Sequence, residues 1–268
     1  MGALLVALTF LGYFSSSVFY VAVLYNDRWQ KWGLVATVLG FMAQTGWLAQ
    51  KANQLGTWPD GTLYDWTATY VWVAVLVFGF LQFVRPTLPV GGFLMPIATL
   101  IWLGSQALSR HLIIPSYVNG LLFAIHVVAG IFAYVAFLFA AVFSIMYTEK
   151  ERELRRKQVR LFYYQLPSLD VMDVVSARLI YLGAVLFTVT LVAGALWSKE
   201  IFHVYWLWSA KDVWSVVVWL VYAGYIALRI SGWRGHKAAV YSMSALLLIF
   251  VNLYFVGVVF HGSHYYDV

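Results

Sequence analysis

The sequence predicts an all-α fold, a polytopic membrane helix bundle with eight transmembrane helices and both termini outside. Three observations carry this reading. The 268 residues are 63% hydrophobic and only 10% charged, with mean hydropathy +0.80, whereas soluble domains run nearer about 45–50% apolar and about 25% charged. The apolar residues gather into runs near the ~20 residues that cross a bilayer. Finally, 13 of the 17 Lys and Arg fall in loops that alternating spans place on one side, which the positive-inside rule makes cytoplasmic.

Taken in order, the spans are 2–25, 33–50, 66–84, 92–109, 119–148, 177–197, 212–230 and 237–261. The runs are too long for strands and lack period-2 alternation. The first has no charged side chain. It also lacks the basic start and small-residue cleavage site of a signal peptide, so it reads as a retained helix. Asn26-Asp27 ends it, and Arg28 and Lys31 follow in a cytoplasmic turn. Pro59-Asp60-Gly61, Arg85-Pro86 and Gly91-Gly92 supply turn chemistry around the third span. After the fifth span comes EKERELRRKQVR, Glu149 to Arg160, in which Glu151–Arg155 and Glu153–Lys157 are i,i+4 pairs that extend the helix past the membrane. Leu161 to Asp170 reads as an interfacial return, and Ser231-Gly232 as the turn between the last two spans. The expected organisation is one transmembrane domain, 1–268, with a basic cytoplasmic loop at 149–176 and an outer tryptophan-rich loop at 198–211.

With no cysteine, the chain has no disulfide, no Cys-based zinc or iron–sulfur ligation and no Cys nucleophile. The net charge of +6 reads as topology and contact with membrane lipid, with no nucleic acid as partner. Gln44, Gln82, Gln106 and Asn252 fall within the spans, where interhelical hydrogen bonding accounts for them as well as a solute path does.

Of the six histidines, only His236 falls on the cytoplasmic side; His111, His126, His203, His261 and His264 all fall on or toward the outer face. Imidazole is the usual axial ligand of haem iron. An ionisable residue inside an apolar span is a functional hypothesis by default, and His126 is the sharpest case. No Glu-x-x-His or His-Glu-x-x-His pattern supports a di-iron or zinc site.

Between the sixth and seventh spans runs Trp197-Ser-Lys-Glu-Ile-Phe-His-Val-Tyr-Trp-Leu-Trp-Ser-Ala-Lys-Asp-Val-Trp214. Tryptophan gathers at membrane interfaces as scattered anchors. This density instead suits an aromatic platform for a large, planar, partly charged ligand such as a porphyrin.

The run resembles the tryptophan-rich signature W-G-x-Y-W-x-W-D-P-K-E-T-W of the cytochrome c assembly superfamily of membrane proteins, which includes the CcsA/ResC, CcmC, CcmF and HemX types. Tyr205, Trp206, Trp208, Lys211 and Trp214 match it, and Asp212 stands for its Glu. Phe202, His203, Ser209 and Ala210 replace its first Trp, Gly, Asp and Pro. In the same order, Thr62–Asp65, Leu122–Val128, Asp173–Gly183, Ala193–Trp197, Gly232–Gly235 and Gly262–Tyr266 are similar to other family segments, so that the likeness spans roughly 56–268.

The resemblance implies a haem-handling membrane protein in cytochrome c biogenesis, in the cell (plasma) membrane. It implies non-covalent haem b on the outer face, held by His126 and His264 as iron ligands and by Tyr205, Trp206, Trp208 and Trp214 as walls. A partner fixing each imidazole's tautomer is expected, with Tyr134, Tyr265 and Tyr266 as candidates. No nucleophile with an adjacent base is evident, so the work is binding and orientation rather than bond chemistry. The chain is closest in size to the HemX-type or short CcsA-like members. The alternative is therefore a HemX-type regulator of haem synthesis with a degenerate haem site. The partners implied are haem and either an assembly partner in the membrane or a cytoplasmic haem-synthesis enzyme.

Overall fold

The computed structural model describes residues 2–56, 58–59, 62–85, 89–108, 120–157 and 161–251, and among these all regular structure is helical. In chain order the helices are α1 (Gly2–Val23), a 3-10 turn (Asp27–Trp29), α2 (Gln30–Leu55), α3 (Leu63–Val84), α4 (Gly91–Ser105), α5 (Leu121–Arg156), α6 (Leu161–Gln165), α7 (Leu169–Phe202), α8 (Ala210–Ile230) and α9 (His236–Phe250). Six spans are long and apolar enough to cross a membrane, namely α1, the turn with α2, α3, α5, α7 and α8; the chain is a multi-pass membrane protein. The expected spans 92–109 and 237–261 correspond to the shorter apolar helices α4 and α9, and residues 109 and 252–261 lie outside the described set.

Helix ends follow local chemistry. Gly56 closes α2 in the left-handed region at φ 72°. The Thr62 hydroxyl caps α3 by accepting from the Asp65 amide. The helices α5, of 36 residues, and α7, of 34, overrun the apolar stretches that announce them. On α5 the overrun is charged, with Arg155 bonded to Glu151 at 2.8 Å one turn earlier.

The chain forms two compact units, Met1–His111 with Glu149–Ser168, and Leu112–Thr148 with Leu169–Val268. In the first unit α1 packs on α2 and α4. A Cβ placed on Gly12 would lie 2.5 Å from the Gly40 Cα, so main chain meets main chain there. Beside this contact Ser16 and Thr37 hydroxyls pair at 2.7 Å, Ser17 and Thr99 at 2.9 Å, and Tyr13 donates to Gln44 Oε1 at 2.5 Å. The Gln44 amide passes on to the Ala68 carbonyl at 2.9 Å. Lys51 pairs with Asp65, which is 1% exposed. Near Thr148, Lys150 donates to the carbonyls of Leu166 and Pro167 at 2.7 and 2.9 Å and lies 4.4 Å over the Tyr163 ring. The Gln165 amide donates to Asp27 at 2.8 Å, tying α6 to the first turn of the chain.

In the second unit α5, up to Thr148, packs on α7 in antiparallel register. Ser144 bonds Ser176 at 3.0 Å, Phe137 fills the notch at Gly183 and meets Phe187, Gly130 faces Thr190, and Phe123 meets Trp197 at 5.3 Å. Phe137 stacks on Tyr222 of α8 at 3.5 Å, and Tyr241 of α9 donates to the Val221 carbonyl at 2.8 Å. Asp173 and Arg229 form a two-pronged ion pair at 2.8 and 2.5 Å, their side chains only 12% and 7% exposed. The Gly235 amide adds 2.9 Å to Asp173, and Arg229 also donates to the Trp233 carbonyl at 3.2 Å. The pair therefore holds the start of α7, the end of α8 and the turn into α9. The sequence reading treats Arg229 only as a topology charge.

Candidate functional site

His126 lies on α5, roughly 33 Å along the helix from Thr148 at about 1.5 Å per residue. That distance is about one hydrocarbon thickness. The imidazole points at α7. A Cβ on Gly194 would lie 2.6 Å from Nδ1 and 2.9 Å from Cε1, so the ring occupies the notch that glycine leaves. In that notch Nδ1 stands 2.8 Å from the Thr190 carbonyl. A carbonyl only accepts, so Nδ1 carries the proton and donates it; in the neutral ring Nε2 then keeps its lone pair. The tautomer-fixing partner is thus a backbone carbonyl and not Tyr134, which instead meets Phe187 at 5.6 Å. Tyr265 and Tyr266 lie outside the described residues.

One turn beyond Gly194, Trp197 packs against Phe123 and, at 6.0 Å, Phe202. Its Nε1 is buried with no hydrogen-bond partner. Phe123 and His126 are three residues apart on α5, as Gly194 and Trp197 are on α7, so each pair shares a helix face. An imidazole with a free ligating nitrogen and an indole N–H without an acceptor consequently sit on adjoining tiers. Lys211 and Asp212, at the start of α8, lie close enough for their charges to act on His126.

The aromatic segment begins where α7 ends. The Ser198 hydroxyl donates to the Val204 carbonyl at 2.8 Å, and Lys199 donates to the His203 carbonyl at 2.7 Å while lying 5.2 Å over the Tyr205 ring. His203 and Trp208 take left-handed backbone, φ 60° and 57°, uncommon for residues with a Cβ. Ser209 then starts α8 with a capping box, its hydroxyl accepting from the Asp212 amide while the Asp212 carboxylate accepts from the Ser209 amide. A cap needs a short polar side chain, so serine at the family signature's Asp position keeps the helix start intact.

The four aromatic candidates differ in setting. Tyr205 is 58% exposed and Trp208 78% exposed. Trp206 and Trp214 are half-buried. The Trp214 Nε1 donates to the Leu248 carbonyl of α9 at 3.1 Å, so this indole is tied into the bundle while Trp208 stands free of it. The other candidate iron ligand, His264, lies outside the described residues, as do His111 and His261. Thr190, which holds the imidazole, falls in no sequence pattern; Gly194 enters the sequence reading only within the family-like segment Ala193–Trp197, and Trp197 only there and at the start of the aromatic run. Among the described residues no group of three or more His, Cys, Asp or Glu is placed to hold a bare metal ion. The donor set fits haem better than a hard cation, with one imidazole nitrogen open, one buried N–H unmet and aromatic rings nearby.

A model of the family described as "Cytochrome C assembly protein" matches residues 61–264. Among curated proteins, the chain is similar to the cytochrome c biogenesis protein CcsA of Rippkaea orientalis, 38% identical over 98 residues that make up 36% of this chain and 29% of that protein. It is similar to the CcsA of Gloeothece citriformis, 38% identical over 98 residues, 36% of this chain and 30% of that one. The CcsA of Synechocystis sp. is 37% identical over the same length, with 36% and 29% covered. The match thus spans less than a third of each of these relatives.

Proposed function

This chain belongs to the cytochrome c assembly protein family, and from that premise we propose that it holds haem for cytochrome c biogenesis at the level of His126. The single observation that carries the proposal is the seating of that imidazole, with Nδ1 spent on the Thr190 carbonyl at 2.8 Å and Nε2 left to ligate. His264 is the second proposed iron ligand, and Tyr205, Trp206, Trp208 and Trp214 are the proposed walls for non-covalent haem b. The iron and macrocycle supply the redox chemistry when bound. The chain's own residues bind, orient and shield; they form no covalent intermediate.

The membrane arrangement proposed with it has eight spans in the cell membrane, both termini and the 198–211 loop outside, and the 149–176 loop in the cytoplasm. An assembly protein in the same membrane is the proposed partner. A HemX-type regulator of haem synthesis is the second reading, favoured by Ser209 and Ala210 at two signature positions.

The test is the visible spectrum of the purified protein. A Soret band is expected, lost or shifted in His126→Ala and in His264→Ala and unchanged in the control His236→Ala. A protein that stays colourless after haem supplementation sinks the haem reading and leaves the regulator.

A further inference from the structure

We propose that Gly194 is the positioning residue of this site: by lacking a side chain it lets the His126 ring reach the Thr190 carbonyl, and so selects the tautomer whose Nε2 can ligate. In its haem-binding consequence this rests on the reading above; the tautomer itself does not.

The effect of Gly194 is steric first and electronic second. Thr190 and Gly194 are one helical turn apart, so the Thr190 carbonyl already points along α7 toward the Gly194 amide. In a helix such a carbonyl is screened by the side chain four residues on. At Gly194 no side chain is there, and the second lone pair of the carbonyl stays open. The imidazole takes that space, as the 2.6 and 2.9 Å approaches of its Nδ1 and Cε1 to an added Cβ demonstrate. Those approaches are far inside van der Waals contact, and the obstacle is a ring held by its own hydrogen bond rather than the free end of a flexible chain. Alanine at 194 therefore drives the ring off the carbonyl. Once that acceptor is lost, nothing among the described contacts of His126 fixes which nitrogen is protonated.

The same helix carries its own control. A Cβ on Gly183 would lie 2.6 Å from Phe137 Cε1, an equal clash in the same helix pair with no histidine involved. Gly183→Ala and Gly194→Ala should thus strain the α5–α7 packing similarly, and only the second should change imidazole chemistry.

The experiment uses full-length protein in detergent, labelled with 15N-histidine. In the wild type the His126 signals should report a protonated Nδ1 and an unprotonated Nε2. In Gly194→Ala they should report a mixed or inverted tautomer, and haem titrated into the protein should bind ~10-fold more weakly with an altered Soret position, the size expected for losing a partner behind a metal ligand. Gly183→Ala should keep the wild-type tautomer and spectrum. A wild-type His126 protonated at Nε2 overturns the proposal without any variant, even where Gly194→Ala does not fold. So does a Gly194→Ala protein with wild-type tautomer and affinity. If the wild type shows the Nδ1–H tautomer and binds no haem, the seat stands and the haem reading falls.

Discussion

Two helix seams, one in each compact unit, use glycine differently at Gly12 and at Gly194. Between α1 and α2, Gly12 meets Gly40 main chain to main chain, and the neighbouring Ser16–Thr37 pair closes the seam. Between α5 and α7, the notches at Gly183 and Gly194 are filled by rings, Phe137 in one and His126 in the other. In the first case glycine brings backbones together, the ordinary way membrane helices associate. In the second it makes a socket for a side chain. The first unit has sockets as well, with the Tyr13 ring against Gly40 and the Tyr20 ring against Gly33, but neither holds a histidine; the family match over 61–264 includes Gly183 and Gly194 and excludes α1 and α2. A glycine in a membrane helix is therefore informative about chemistry only once its occupant is known.

Four substitutions test this contrast. The largest loss is expected from Arg229→Leu, which leaves the Asp173 carboxylate buried and unpaired. Unpairing a buried charge costs about 3–5 kcal/mol, measurable as thermal unfolding of the detergent-solubilised protein. The double variant with Asp173→Asn should recover much of it. A single variant as stable as the wild type would mean the second unit does not depend on this tie.

Gly12→Ala should come next, at about 1–3 kcal/mol for overpacking against rigid main chain. Its haem spectrum should match the wild type, because the crowding lies in α1 and α2. A changed spectrum would erase the distinction between scaffold glycines and socket glycines.

Ser209→Ala removes the cap of α8 and should cost about 1 kcal/mol, read in the same unfolding experiment. Trp208→Ala should move stability by no more than about 0.5 kcal/mol, as expected of an exposed residue, while haem titration shows weakened binding. If both stability and affinity are unchanged, Trp208 is an interfacial anchor and no part of a haem wall.

Much of the fold was legible because hydrophobic runs are long and local. The apolar stretches of α5 and α7 announce themselves, and the Glu151–Arg155 pair even foretold that α5 runs on. The exact ends of α7 were not legible, since Leu169–Ser176 carries acidic residues that a hydropathy window reads as loop. His126 was legible as a lone imidazole in an apolar run. Gly194 was not, because its meaning is a steric relation to a residue far away in the sequence, with no periodicity to mark it. The ion-pair role of Arg229 was not legible for the same reason: its Asp173 partner belongs to another helix, and a charge count cannot see a pair.

Lys150 bears on how the sidedness of this protein can be mapped. The residue is 8% exposed, and its ammonium is engaged with two carbonyls and a tyrosine ring. An amine-reactive reagent added to vesicles should pass it by from either side. Lys157, exposed at the end of the same helix, is the amine to label, and silence at Lys150 carries no information about which face of the membrane it occupies.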